Sequence, residues 1–169
     1  LTLVTYRSTP SSIKFEEWAE FESYLQNQGL EHVIQSHKIS GKPTKNITEL
    51  YERNAKLLIG AGFVGRDRKT GLPLEIVAES KPSTLNRGST LSVRLFFRGK
   101  PLVGSQITAF AKAEPTRPLK TRTDSTGRVK IQLPHAGAWL LSSVHMVSPP
   151  AAQNADWYSY WASLVFFRR

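Results

Sequence analysis

The chain of 169 residues contains no cysteine, so neither a disulfide framework nor a thiolate metal site is available to it. It also lacks any apolar run near the roughly 18–20 residues that a membrane-spanning helix needs. Aromatic residues are plentiful: four Trp, eight Phe and five Tyr, within a hydrophobic content of 40%, are enough to build a core. These features indicate a folded domain of ordinary size rather than a disordered chain.

The first residues resemble the middle of a folded element. The chain has no initiating Met and no signal peptide, and it opens on the strand-like run Leu1–Tyr6. We therefore expect a processed product or a part cut from a longer chain. The opening strand is expected to pair with sequence outside this chain or to lie at the edge of the later sheet.

Residues 1–62 are predicted to form a strand plus a helical segment, as the tail of a truncated upstream domain. From Phe15 to Leu25, aromatic and apolar residues recur at helical spacing, with glutamates at the positions between them. This pattern predicts an amphipathic helix of about four turns. Gly29 is typical of the left-handed residue that ends a helix.

Two further helices are predicted in the same region. The first covers about residues 31–37 and carries His32 and His37. Because these are five residues apart they share a face poorly, so they are a poor metal pair and are interpreted as ordinary surface histidines. The second helix should begin at Asn46, because Glu49 follows three residues later with the spacing of a capping box.

Residues 63–72 are polar and rich in glycine, which predicts a linker, and residues 73–169 then show a period of two. That period predicts the strands Leu74–Ala78, Thr90–Phe97, Gln106–Ala111, Leu119–Thr123, Arg128–Leu133, Gly137–Val147 and Trp157–Phe167. The last two flank Pro149-Pro150 and should pair as an antiparallel ribbon. The fold class is therefore mainly β: an antiparallel immunoglobulin-like or prealbumin-like β-sandwich with an N-terminal helical segment.

The net charge of +10 is concentrated in residues 81–134, which hold eleven Lys and Arg against two acids. Alternation predicts that Lys120, Arg122, Arg128 and Lys130 share one solvent-facing sheet surface. Such a surface suits an anionic partner, and an ordinary solvated sheet face is the alternative. Nucleic acid is a weaker candidate, because the aromatic residues are predicted to be in the core rather than interleaved with the basic ones.

Several segments, read in order, resemble a known family. They are Gly71–Glu75 with Leu91–Leu95 and Gly99–Leu102, then Thr123–Arg128 with Leu133–Trp139, then Val144–Val147 with Ala155–Trp157 and Trp161–Leu164. They resemble a bacterial family of unknown function described as the periplasmic component of a cobalt or nickel uptake system. The resemblance implies a periplasmic or otherwise exported protein with a prealbumin-like C-terminal sandwich. It also implies membrane components of metal uptake as partners and Ni or Co as the bound ion.

His145 and Asp156 are the candidate metal ligands. They flank the loop 148–156, and nickel and cobalt favour imidazole and carboxylate when thiolates are absent. Alternation puts His145 on the face of Trp139 and Val147, which is usually a core face. The alternative is therefore a partly buried histidine that is hydrogen-bonded to Asp156.

Trp157 and Trp161 are four residues apart on one strand, so they should form one aromatic face. Core packing and a stacking platform for a sugar ring are both compatible with that spacing. Ser143, His145 and Asp156 contain the residue types of a catalytic triad, but no nucleophile-elbow turn accompanies the serine. We therefore expect no enzyme activity.

The sequence favours an exported, non-catalytic binding or accessory module associated with cobalt or nickel uptake. The alternative is a cell-envelope structural or interaction module that binds an anionic partner through its basic sheet face.

Overall fold

Period-two patterning produces eleven strands and two α-helices in the residues that the computed structural model describes, 1–60, 65–86 and 88–168. In chain order they are β1 (Thr2–Arg7), β2 (Ser11–Glu17), α1 (Trp18–Gln28), α2 (Glu31–Ile39), β3 (Lys45–Ile59), β4 (Leu74–Ala78), β5 (Thr90–Phe97), β6 (Lys100–Pro101), β7 (Gln106–Ala111), β8 (Glu114–Arg122), β9 (Arg128–Gln132), β10 (Gly137–Val147) and β11 (Trp157–Arg168). A 3₁₀ turn spans Pro82–Thr84.

The larger sheet has seven strands, in the order β1, β3, β11, β10, β7 and β8, with β2 also paired to β3. The predicted C-terminal ribbon is confirmed. β10 and β11 pair antiparallel along their length, from Gly137 opposite Arg168 to Val147 opposite Tyr158. β11 pairs on its other side with β3, and this pairing is parallel.

The smaller sheet is built around β5, which pairs antiparallel with β4, β6 and β9. Its inward residues pack against the inner face of the larger sheet, and the members of this core include Leu91, Val93, Leu95, Ile131, Leu141, Leu164 and Phe166. Full burial of such a side chain contributes about 1.5–3 kcal/mol. The predicted mainly-β sandwich with an N-terminal helical segment is confirmed.

The two helices cover the outer face of the larger sheet at one end. Their apolar residues form a second core with the strands, made of Phe21, Leu25, Leu30, Val33, Ile34, Ile47, Val144, Met146 and Trp157. α1 begins at Trp18, later than predicted, because Phe15 lies in β2 opposite Ile47. Gly29 ends it in the left-handed conformation, with φ of 71°, as predicted. No helix in the described ranges is long and apolar enough to cross a membrane.

The helix predicted to begin at Asn46 is wrong, because this segment forms β3. Asn46 has a positive φ of 55°, a left-handed conformation next to the strand's first residue rather than a helix cap. The first half of β3 is covered on both faces, by the helices on one side and by the other sheet on the other, whereas from Glu52 to Ile59 buried residues alternate with more exposed ones. Polar residues, including Glu49 and Glu52, occupy buried positions of β3, so its sequence does not show the apolar alternation that is typical of a half-buried strand.

The predicted boundary between residues 1–62 and 73–169 separates strands that the structure joins in one sheet, since β3 pairs with β11. Of the predicted linker 63–72, residues 63 and 64 lie outside the described residues, as does residue 62 before it. The described remainder is anchored by a buried ion cluster. Lys56 Nζ lies 2.9 Å from Asp67 Oδ1 and 3.1 Å from Glu75 Oε1, and all three side chains are at most 2% exposed.

Candidate functional site

His145 lies near the end of β10 with its ring against the smaller sheet, on the face that alternation predicts. The ring centroids of His145 and Phe97 are 4.4 Å apart. Burial lowers the pKa of His145 to about 4, and the nearby charges of His32 and Arg98 contribute to this lowering. The imidazole is therefore neutral at pH 7.

A cavity of about 190 Å³ adjoins this ring, and His32 from α2 also lines it. The cavity exists because β7 begins only at Gln106, so the last residues of β10 have no β7 residues paired beside them. Segment 102–106 forms another wall. Burial also lowers the pKa of His32. Two neutral imidazoles from distant parts of the chain thus line one cavity, a juxtaposition that the sequence analysis missed.

Asp156 lies in a different environment from His145. Its Oδ2 accepts a hydrogen bond from the Thr48 backbone N–H at 2.8 Å, and its own N–H donates to the Thr48 carbonyl at 2.9 Å. No hydrogen bond or ion pair joins Asp156 to His145 in the described part of the chain. The reason is topological: β11 runs between β10 and β3, and its first residues are tied to the β3 side.

Trp157 and Trp161 share one face, as predicted, but they have separate surroundings. Trp157 is buried and its Nε1 donates to His37 Nδ1 at 2.9 Å. His37 Nε2 in turn lies 3.0 Å from the Pro43 carbonyl and donates to it, because Nδ1 is the acceptor. The interpretation of His37 as a surface residue is wrong, since it is 1% exposed.

Trp161 lines a second pocket, of about 260 Å³, between β2, α1, β3 and β11. Its ring stacks against Tyr24, with centroids 6.1 Å apart and an interplanar angle of 14°. The other lining residues are Ile13, Phe15, Glu49, Tyr51 and Arg53. Aromatic rings therefore dominate the walls, and one carboxylate is buried among them.

Glu49 is 1% exposed. Its Oε1 accepts hydrogen bonds from the Tyr24 hydroxyl at 3.0 Å and from the Ser159 hydroxyl. Trp161 Nε1 donates to Ser159 Oγ at 3.1 Å, which extends the network to the pocket wall. Burial raises the pKa of Glu49 to about 7, although the hydrogen bonds from Ser159 and Tyr24 oppose the increase.

The four predicted basic residues do not share one face. Lys120 and Arg122 lie on β8 in the larger sheet, whereas Arg128 and Lys130 lie on β9 in the smaller sheet. The turn at 124–127 therefore connects two sheets and is not a hairpin between paired strands. It places the two pairs on opposite outer faces of the sandwich, because Val129 and Ile131 of β9 point into the core between the sheets.

Most of these cations also have partners within the chain. Arg122 Nη2 lies 2.7 Å from Glu31 Oε2, and Lys120 Nζ donates to the Asn27 carbonyl at 3.1 Å. Arg128 Nη2 donates to Glu79 Oε1 at 2.8 Å. Arg128 lowers the pKa of Glu79 to about 2. The positive field is therefore partly neutralised at two of the four residues.

Ser143 is also engaged, since its hydroxyl donates to the Gln106 carbonyl at 2.7 Å. Within the described residues no group of three or more His, Cys, Asp or Glu side chains is placed to hold a metal ion. Side-chain ligation at the His32–His145 cavity is accordingly limited to the two imidazoles.

The sequence model of a family described as "Domain of unknown function (DUF4198)" matches residues 3–147. The chain belongs to this family. No curated protein and no solved structure matches the DUF4198 chain. A family of unknown function agrees with the resemblance in the sequence, whereas the association with cobalt or nickel is not part of the match.

The matched range of this DUF4198 domain includes His32, Glu49 and His145, and it ends before Trp161. Glu49 was missed because β3 was interpreted as a helix. As a strand, the alternation Glu49, Tyr51, Arg53 puts these three side chains on one face, and that spacing was the available signal. His32 and His145 line the same cavity because of the way α2 packs on the sheet. No local pattern in the sequence indicates that packing.

Proposed function

We propose that this domain is an exported, non-catalytic binding module that acts as an accessory protein in transition-metal uptake, with cobalt or nickel as its cargo. The observation that carries the proposal is the cavity lined by His32 and His145. The resemblance of residues 71–76 and 133–164 to a periplasmic metal-uptake family supports the location and the pathway.

The donor chemistry fits a borderline divalent ion. Imidazole nitrogen is a ligand that nickel, cobalt and zinc all accept. A ligating imidazole must be unprotonated, and the lowered pKa values of His32 and His145 satisfy this condition at neutral pH. Metal binding at pH 7 therefore does not have to displace a proton from the His145 ring.

The small number of donor groups predicts a low affinity for the metal ion. Two side-chain ligands leave the remaining coordination positions to water, to backbone carbonyls or to groups of a partner. The Arg98 guanidinium, which lies at the Phe97 ring and donates to the Tyr160 hydroxyl, adds an unfavourable charge. Weak, incomplete ligation suits a protein that passes an ion to membrane components better than one that stores it.

Thermal unfolding with and without Ni²⁺, Co²⁺ and Zn²⁺ tests this function. At 100 times its dissociation constant, a ligand stabilises the folded state by about 2.7 kcal/mol. We expect stabilisation of the native chain, and its loss in His32→Ala and His145→Gln. His135→Gln is the matched control, because His135 lies in another turn and contacts Glu114. A flat response of the native chain, or equal stabilisation of all variants, contradicts the proposal.

The alternative function, an envelope module that binds an anionic partner, is supported by the excess of basic residues in 81–134. It is weakened by the internal ion pairs of Arg122 and Arg128. Binding of this kind would decline as salt screens the surface charges, whereas metal ligation by two neutral imidazoles would not.

A further inference from the structure

The pocket between α1 and the larger sheet combines aromatic walls with a buried acid. Phe15, Tyr24, Tyr51 and Trp161 contribute four rings, and Phe15 stacks on Tyr24 with centroids 5.2 Å apart. The electron-rich faces of such rings attract cations, most strongly where water is excluded. Glu49 lies among them as a side chain that is almost completely removed from solvent.

Glu49 differs from the other buried acids in its hydrogen bonding. Both oxygens of Glu52 are satisfied by Arg7 and by the Tyr158 hydroxyl, and Glu75 is bonded to Lys56 and Thr70. Glu49 Oε2 has no hydrogen-bond partner in the described residues, and it is the one buried carboxylate oxygen there of which this is true. An unpartnered buried acceptor is costly, so a built pocket around it indicates a ligand that donates to it.

We propose that this pocket binds a small protonated amine that carries an alkyl group, with the ammonium N–H donating to Glu49 Oε2 and the alkyl group against the Tyr24 and Trp161 rings. This site is separate from the His32–His145 cavity, and neither depends on the other.

The required charge and hydrogen-bond pattern decide between ligand classes. A protonated alkylamine supplies both the positive charge that the rings attract and the N–H donor that Oε2 lacks. A quaternary ammonium supplies only the charge, and an alcohol supplies only the donor. The two hydroxyl donors on Oε1 already hold the carboxylate in position, so a ligand would meet a fixed acceptor.

Arg53 shows that the rim of the pocket accommodates a cation. Its guanidinium carbon lies 5.6 Å from the centre of the Tyr51 ring. Arg53 forms no ion pair with an acid in the described part of the chain, and it is exposed, so it can move out to solvent. As a positive charge at the rim it competes with the ligand, and its removal should strengthen amine binding.

The test is a titration of the ¹⁵N-labelled protein with propylammonium, tetramethylammonium and 1-propanol at constant chloride concentration and pH 8. The Trp161 indole N–H resonance reports on the pocket through Ser159 and Glu49, and the Trp157 indole resonance is an internal reference because it bonds His37. We expect propylammonium to bind most tightly and 1-propanol most weakly. We also expect the affinity for propylammonium to decrease as the pH falls below 7 and Glu49 becomes protonated.

Two variants complete the test. Glu49→Gln removes the charge with little change of shape and should weaken propylammonium binding at least tenfold, while Arg53→Gln should strengthen it. Glu79→Gln, on the other sheet, should leave it unchanged. Equal binding of 1-propanol and propylammonium, or unchanged binding in Glu49→Gln, would overturn the proposal. Tetramethylammonium binding as tightly as propylammonium would overturn the role of Oε2 as acceptor.

Discussion

At the scale of single residues, the two faces of β3 place its buried glutamates in different surroundings. Glu52 faces the sandwich interior and is paired with Arg7, at 3.0 Å. Glu49 faces the helices with hydroxyl donors only, and burial raises its pKa to about 7. The two glutamates of β3 thus differ in their partners: Glu52 forms an ion pair with Arg7, and Glu49 accepts hydrogen bonds from hydroxyl groups only.

Glu49 makes stability depend on pH in a defined direction. Its pKa is higher in the folded state than the usual value near 4.5, so the folded state holds the proton more tightly. The resulting stability is complete below pH 4.5 and is lost as the pH rises through 7, by about 3 kcal/mol. Glu49→Gln should remove this decline in urea unfolding between pH 4.5 and 8, whereas Glu16→Gln on the exposed side of β2 should retain it. An identical decline in Glu49→Gln would contradict this account.

The residue-level predictions from sequence succeeded where alternation alone decides the answer. The face of His145 and the common face of Trp157 and Trp161 follow from strand periodicity. The partners of these residues do not, because Asp156 bonds to β3 and His32 comes from α2 to line the same cavity as His145. Contacts between different helices and strands depend on how these elements pack together. That packing is determined by the combined burial of many side chains.

At the scale of elements, the bounds of β4, β5, β7 and β10 agree with the sequence prediction residue for residue. Each of these strands has strong patterning, and β4, β5 and β10 are followed within four residues by Pro82, Gly99 and Pro149. β3 was interpreted as a helix because Asn46 and Glu49 have the spacing of a capping box and because its buried positions include the polar residues Glu52 and Lys56. α1 was started too early because Phe15 belongs to a strand that pairs with β3. Phe15 is three residues before Trp18, and this spacing is the same whether Phe15 belongs to the helix or to a preceding strand.

The turn between α1 and α2 positions His32 at its cavity, and it depends on Gly29. A Cβ at this position would lie 2.7 Å from the Gln106 Cβ, in a backbone conformation with φ of 71°. Gly29→Ala should therefore lower the free energy of unfolding, measured by urea denaturation, by more than the roughly 1–2 kcal/mol of left-handed strain alone. Gly41→Ala is the matched control, since φ is 62° there and nothing lies within 4 Å of the added Cβ. Equal losses in the two variants would show that the contact with Gln106 is unimportant.

At the scale of the whole molecule, the sequence predicted a sandwich with a boundary at residues 63–72, and the structure joins strands from both sides of that boundary in one sheet. Residues 1–60 contribute three of the seven strands of the larger sheet, and the buried cluster of Lys56, Asp67 and Glu75 ties the connection to both sheets. The period of two identified the strands after residue 73. It could not show that β3 inserts in parallel beside β11, because a parallel pairing has no turn to mark it.

The same assembly forms two separate cavities, which are the two proposed binding sites, on the outer and inner sides of the larger sheet. The His32–His145 cavity lies where β7 stops short of the end of β10, and the Glu49 pocket lies between the helices and β3. Both exist only because the N-terminal helices and strands pack on the C-terminal ribbon. The proposed sites therefore depend on the joined sheet rather than on its C-terminal part alone.

The central claim, a metal site formed by His32 and His145, is tested most directly by the side-chain ¹⁵N resonances of the four histidines during titration with diamagnetic Zn²⁺. The account predicts that the His32 and His145 ring nitrogens shift together at the same Zn²⁺ concentration. His37, bonded at both nitrogens, and His135 should stay unchanged. Shifts confined to His135, or no shift at His32 and His145 up to saturating Zn²⁺, would contradict it.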